Sequence, residues 1–143
     1  MSRSDPFNLQ RFVDAQDPVY ENVLAELRQG CKQSHWMWFV FPQIVGLGRS
    51  AMAQKFAIRS LDEARAYLGH MVLGPRLIEC TRLVMDIDGK TIDQIFGAPD
   101  DRKFHSSMTL FAQAGTGIFQ DAIRKYFHGE YDPATLAALR NGP

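Results

Sequence analysis

Apolar residues recur at helical spacing through most of this chain, and the stretches between them carry helix-capping residues. Asp5-Pro6, Asp17-Pro18 and Asp132-Pro133 each pair an N-cap with a proline suited to the first helical position, where its missing N–H leaves no bond unmade. The first predicts a short helix bearing Phe7, Phe12 and Val13. The second predicts one with Val19, Tyr20, Val23, Leu24 and Leu27, stopped at Gly30. Ser34 opens a segment that Pro42 ends, because the residue before a proline avoids the helical region. Ser50 predicts a helix to about Ala57, and the pairs Ser60/Glu63 and Thr91/Gln94 have capping-box spacing. Gly74-Pro75 starts a further helix through Leu77, Ile78, Leu83 and Val84. Asp100 is read as the N-cap of one bearing Phe104, Met108 and Phe111. Gly115-Thr116-Gly117 separates this from a helix with Phe119, Ile123 and Phe127, closed by Gly129, and a last short helix holds Leu136 and Leu139. No series of alternating strands is present. The expectation is a single all-α domain over residues 1–143, a compact orthogonal bundle of about seven to nine short helices.

Composition narrows the function classes. The chain has 143 residues, 45% of them hydrophobic and 22% charged, which suits one domain with a real core. The formal net charge is zero, so a strongly basic face for nucleic acid is not expected. Met1 to Asp5 lacks the apolar core of a signal peptide, and the richest apolar run, Trp36 to Phe41, is too short to span a membrane. Cys31 and Cys80 make no disulfide framework, and the expected setting is cytoplasmic with reduced thiols. His35, His70, His105 and His128 are scattered without zinc-motif spacing, so neither a metal nor a cofactor is expected.

Three stretches carry candidate chemistry. The run from His35 to Gln43 holds both tryptophans. Its apolar area demands burial or a pocket wall, so Trp36 or Trp38 could stack on a flat ligand while His35 and Gln43 supply polar groups. In the loop around Gly46 and Gly48 the backbone can approach a ligand closely, and Arg49 adds charge, although the P-loop lysine and the dinucleotide fingerprint are missing. The segment from Asp100 to Thr109 offers Asp101, Lys103, Ser106, Ser107 and Thr109. One lysine among hydroxyls can hold an anion, and the same hydroxyls can bond back to their own helix.

The chain resembles the small bacterial and fungal proteins of domain-of-unknown-function family 1810. The resemblance rests on Ser34-His35-Trp36-Met37-Trp38-Phe39-Val40-Phe41-Pro42-Gln43, Gly46-Leu47-Gly48-Arg49-Ser50 and Glu63-Ala64-Arg65-Ala66-Tyr67-Leu68. It continues in Leu73-Gly74-Pro75-Arg76-Leu77, Ile95-Phe96-Gly97, Asp100-Asp101 with Lys103, and Ser106-Ser107-Met108-Thr109-Leu110-Phe111. Many relatives would carry His-Pro where this chain has His70-Met71. The family implies an all-helical single domain and no established activity. The calpastatin-like label sometimes given to such sequences does not suit a compact, apolar-rich chain.

Two functions compete. The first is binding of a small anionic ligand, nucleotide-like or ADP-ribose-like, by His35, Trp36, Trp38, Gln43, Gly46, Gly48, Asp101, Lys103, Ser106, Ser107 and Thr109. Hydrolysis of that ligand would use His35 or Asp101 as acid or base. The alternative is a non-catalytic protein-interaction module, with an exposed tryptophan as anchor or with the chain pairing into a homodimer. The first requires the tryptophan-bearing and lysine-bearing stretches to share one hollow.

Overall fold

The computed structural model describes residues 4–141 apart from Thr116, so the start at Met1 and the centre of the Gly115–Gly117 break lie outside the described residues. Ten helices and no strand are present among the described residues: α1 (Gln10–Gln16), α2 (Tyr20–Gln29), α3 (Met37–Val40), α4 (Ala51–Lys55), α5 (Leu61–Gly69), α6 (Leu73–Met85), α7 (Ile92–Phe96), α8 (Asp100–Ala114), α9 (Ile118–Phe127) and α10 (Pro133–Arg140). The all-α expectation holds, and the count exceeds the expected seven to nine. The excess lies in one-turn pieces with their own ends. Ser50 Oγ accepts from Ala53 N at 3.1 Å to start α4, and Thr91 and Gln94 close a full capping box on α7.

Several caps act where the sequence places them and others shift. Gly30 ends α2 with φ +74°, a left-handed conformation that glycine adopts without steric cost. The Asp5 carboxylate caps across an intervening turn, accepting from Leu9 N at 2.8 Å and Gln10 N at 3.0 Å. Asp100 is not the N-cap of α8. Pro99 holds that place, and the Asp100 carboxylate ion-pairs with Lys32 and Lys103 instead. Ser34 does not start a helix, and only Met37–Val40 closes a turn.

Helix α8 lies at the centre and packs against α5, α7, α9 and α10, while α6 packs on α2, α5 and α9. Two aromatic groups fill the interior. Phe12, Phe56 and Tyr67 meet around α1 and α5, the Phe12 and Tyr67 rings edge-on at 5.1 Å. Phe41, Phe96 and Phe104 form the second group, with 5.1 Å between Phe41 and Phe104. Rings in these arrangements add about 0.5–1.5 kcal/mol per pair beyond the area they bury.

Two long-range devices hold the α3–α5 region. Ile44 and Ile58 form an isolated parallel bridge, with Val45 N donating to Ile58 O and Ile58 N to Gln43 O, both at 2.8 Å. Arg11 donates from Nε to Lys55 O, from Nη1 to Phe7 O and Asn8 O, and from Nη2 to Ala57 O and Glu63 Oε2. Glu63 is buried, and its Oε1 accepts from Arg59 N rather than from the Ser60 N–H that a full capping box would use.

Candidate functional site

The aromatic run divides into an inward and an outward half. Trp36 is 1% exposed, and its Nε1 donates to Glu26 Oε1 at 3.0 Å. The same oxygen accepts from Gln33 N at 2.7 Å and Ser34 N at 2.9 Å. Burial by itself would raise the Glu26 carboxyl, but donors from Ser34, Gln33 and Trp36 outweigh it and hold the group down at about 2. Lys32 covers this corner, with Nζ 5.1 Å above the Trp36 ring and 2.8 Å from Asp100 Oδ2.

Trp38 is half-buried. Lys103 Nζ lies 5.1 Å over its ring and 3.6 Å from Asp100 Oδ1. Asp100 therefore joins the two lysines, and the order Trp36, Lys32, Asp100, Lys103, Trp38 sets three charges between two rings. The tryptophan-bearing and lysine-bearing stretches are thus in contact. On another side Trp38 borders a small pocket with Gln43, Gly46, Gly48 and Gln54, whose free space of ≈ 20 Å³ suits about one water. Gly48 is required there, since a Cβ would stand 2.5 Å from the Ala53 Cβ. Asp101 is half-buried and accepts from Arg102 N, and His35 is exposed.

The hydroxyls of α8 are turned elsewhere. Ser106 Oγ donates to Asp132 Oδ2 at 2.7 Å, Thr135 Oγ1 donates to the same oxygen at 2.6 Å, and Thr109 Oγ1 accepts from Asp132 N at 2.9 Å. Burial alone would raise the Asp132 carboxyl, and the Thr135 and Ser106 donors bring it below its ordinary value. These residues fasten the entry of α10 to α8. Ser107 is fully buried, and its Oγ has no hydrogen-bond partner among the described residues. The structure therefore places Lys103 against one side of Trp38 and Gln43, Gly46 and Gly48 around a small pocket on another side, while Trp36, Ser106, Ser107 and Thr109 are closed to solvent.

A second concave region was not anticipated from the sequence. A hollow of ≈ 570 Å³ opens between the residues before α1, the end of α4 and the start of α5, lined by Phe7, Asn8, Lys55, Arg59 and Ser60 over the Arg11–Glu63 pair. Its residues come from two stretches far apart in the chain, 6–11 and 55–63, and the local signal is the cationic pair Lys55 and Arg59 on either side of a short apolar run.

No helix among the described residues is long and apolar enough to cross a membrane, and no group of three or more His, Cys, Asp or Glu among them could hold a metal ion. Comparison with curated proteins finds no match. Among solved structures, the chain is similar to the conserved hypothetical protein Rv1873 from Mycobacterium tuberculosis, known from a 1.38 Å crystal structure. The identity is 55%, the TM-score is 0.94, and the match covers 95% of this chain and 99% of that one. The family described as "Protein of unknown function (DUF1810)" matches residues 6–139, nearly the whole length. The chain belongs to this family.

Proposed function

We propose that the chain binds a small anionic, nucleotide-like ligand, with the flat part of the ligand against Trp38 and its anionic group at Lys103. The observation that carries this reading is the Lys103 ammonium 5.1 Å over a half-buried tryptophan, whose other side borders the Gly46–Gly48 loop. The lysine's hold on the ring is worth about 0.5–1 kcal/mol, small enough for an incoming anion to redirect the ammonium. Since the pocket beside Trp38 suits about one water, the ligand lies across the open face rather than inside it. Gln43 offers an amide to orient it, and Asp101 and exposed His35 are the groups available for acid–base work in a hydrolytic version. Trp36 fixes the start of α3 through Glu26, Ser106 and Thr109 fasten the entry of α10 to α8, and buried Ser107 stands away from the ligand.

The test is thermal unfolding with AMP or ADP-ribose present, joined to Trp38→Phe and Lys103→Ala variants. Binding raises the melting temperature by mass action. Lys103→Ala is expected to weaken binding about tenfold or more, the usual worth of a charged hydrogen bond. An unchanged melting temperature with both compounds removes the reading.

A further inference from the structure

We propose a second anion site, independent of the Trp38 reading, in the hollow between the residues preceding α1, the end of α4 and the start of α5, shaped for a small organic phosphate monoester. The charge balance of its lining carries the argument. Arg11 and Glu63 form a 2.9 Å ion pair there, with 12% and 1% of the two side chains exposed. All the N–H donor positions of the Arg11 fork face backbone carbonyls or Glu63, and both Glu63 oxygens are occupied. This pair is electrically closed and serves as a rigid base.

Lys55 and Arg59 are different. Both are exposed, and neither side chain makes a hydrogen bond or ion pair among the described residues; Lys55 only lies 5.3 Å above the Phe56 ring. They bring two positive charges without an ion-pair partner among the described residues to a hollow whose one lining carboxylate, Glu63, is already paired, while Asp14 and Asp62 line neighbouring depressions. A phosphate monoester carries up to two negative charges and presents oxygens to a guanidinium fork in pairs. Ser60 and Asn8 add polar side chains at the edge, and Phe7 supplies an apolar wall. The volume of ≈ 570 Å³ falls in the usual range for ligand pockets and far exceeds a bare phosphate, which calls for an organic group on the ester.

The site is rigid where rigidity matters. Arg11 ties residues 7–8, 55–57 and 63 to one point, so Lys55 and Arg59 are presented from backbone fixed on both sides. Removing either cation breaks no hydrogen bond or ion pair among the described residues, so binding and stability can be separated.

The experiment is an amide and indole NMR titration of the full chain with AMP, inorganic phosphate and adenosine. AMP is expected to move the amides of Asn8, Arg59 and Ser60, inorganic phosphate to move the same amides at least tenfold more weakly, and adenosine to leave them in place. Combining Lys55→Ala with Arg59→Ala should weaken AMP at least tenfold at those amides without lowering the melting temperature, while Lys103→Ala leaves them unaffected. AMP shifts confined to the Trp38 indole, or insensitive to the paired substitutions, overturn the site and leave the Trp38 reading standing. No shift at Asn8, Arg59 and Ser60 with millimolar AMP overturns it as well. Equal binding of AMP and inorganic phosphate overturns the organic-ester class.

Discussion

Trp36 and Trp38 are the same residue two positions apart, and the fold uses them in opposite ways. Trp36 is the N-cap of α3, with non-helical dihedrals, and Trp38 stands inside that one turn, so the two side chains leave the backbone in different directions. Trp36 is sealed over the Glu26 carboxylate, with its indole N–H spent inside the protein. Trp38 keeps part of its ring in solvent under a lysine. Their cations follow suit. Lys32 is 7% exposed in an ion pair at 2.8 Å, and Lys103 is 23% exposed in a looser one at 3.6 Å from the same Asp100. Identity of side chain therefore does not assign a role here. Position relative to the start of α3 does.

The sharpest way to break this comparison is truncation. Trp36→Ala should cost about 3–5 kcal/mol in denaturant unfolding, the range for a large buried aromatic side chain. An equal loss for Trp38→Ala would erase the distinction. Glu26→Gln comes next, at about 1.5–3 kcal/mol, because three donors then lose a charged acceptor. It also carries a pH signature. The Glu26 carboxyl sits at about 2 in the fold against an ordinary 4.5, so its contribution is fully present above the ordinary value and lost as pH falls from there toward 2. The Glu26→Gln variant should lack that part of the acid transition. Trp38→Ala is expected to cost about 1 kcal/mol, in keeping with partial burial. Ser107→Ala should lie within about 0.5 kcal/mol of the parent or be stabilising, since the hydroxyl it removes is buried without a partner among the described residues. A larger loss would reveal a bond to Ser107 Oγ.

Much of the helical order was legible because capping is local. Gly30, Ser50, Thr91 with Gln94, and Pro133 act within a turn of where they stand, so spacing alone finds them. Asp100 and Glu63 escaped for one common reason. Each has a cap-like position in the sequence, but a cation from a distant segment claims its carboxylate, Lys32 for Asp100 and Arg11 for Glu63. The hydroxyls of α8 were legible as a polar cluster, while their partner Asp132 lies on another segment. Contact of the aromatic run with α8 could be guessed from two apolar faces seeking cover. The hollow at Lys55 and Arg59 could not, since it depends on Arg11 joining residues 6–11 to the distant stretch 55–63.

The pairing of Ile44 with Ile58 has a practical consequence for protein engineering. The backbone between them is tied a second time by Arg11 at Lys55 and Ala57 and anchored by buried Phe56, while no residue of the helix Ala51–Lys55 is buried, so the exposed stretch around Arg49 stands out from the body. Such an appendage can accept a spectroscopic tag or a short peptide graft near Arg49 while the remainder assembles as before, because extending a tethered surface excursion adds only slowly to its entropic cost.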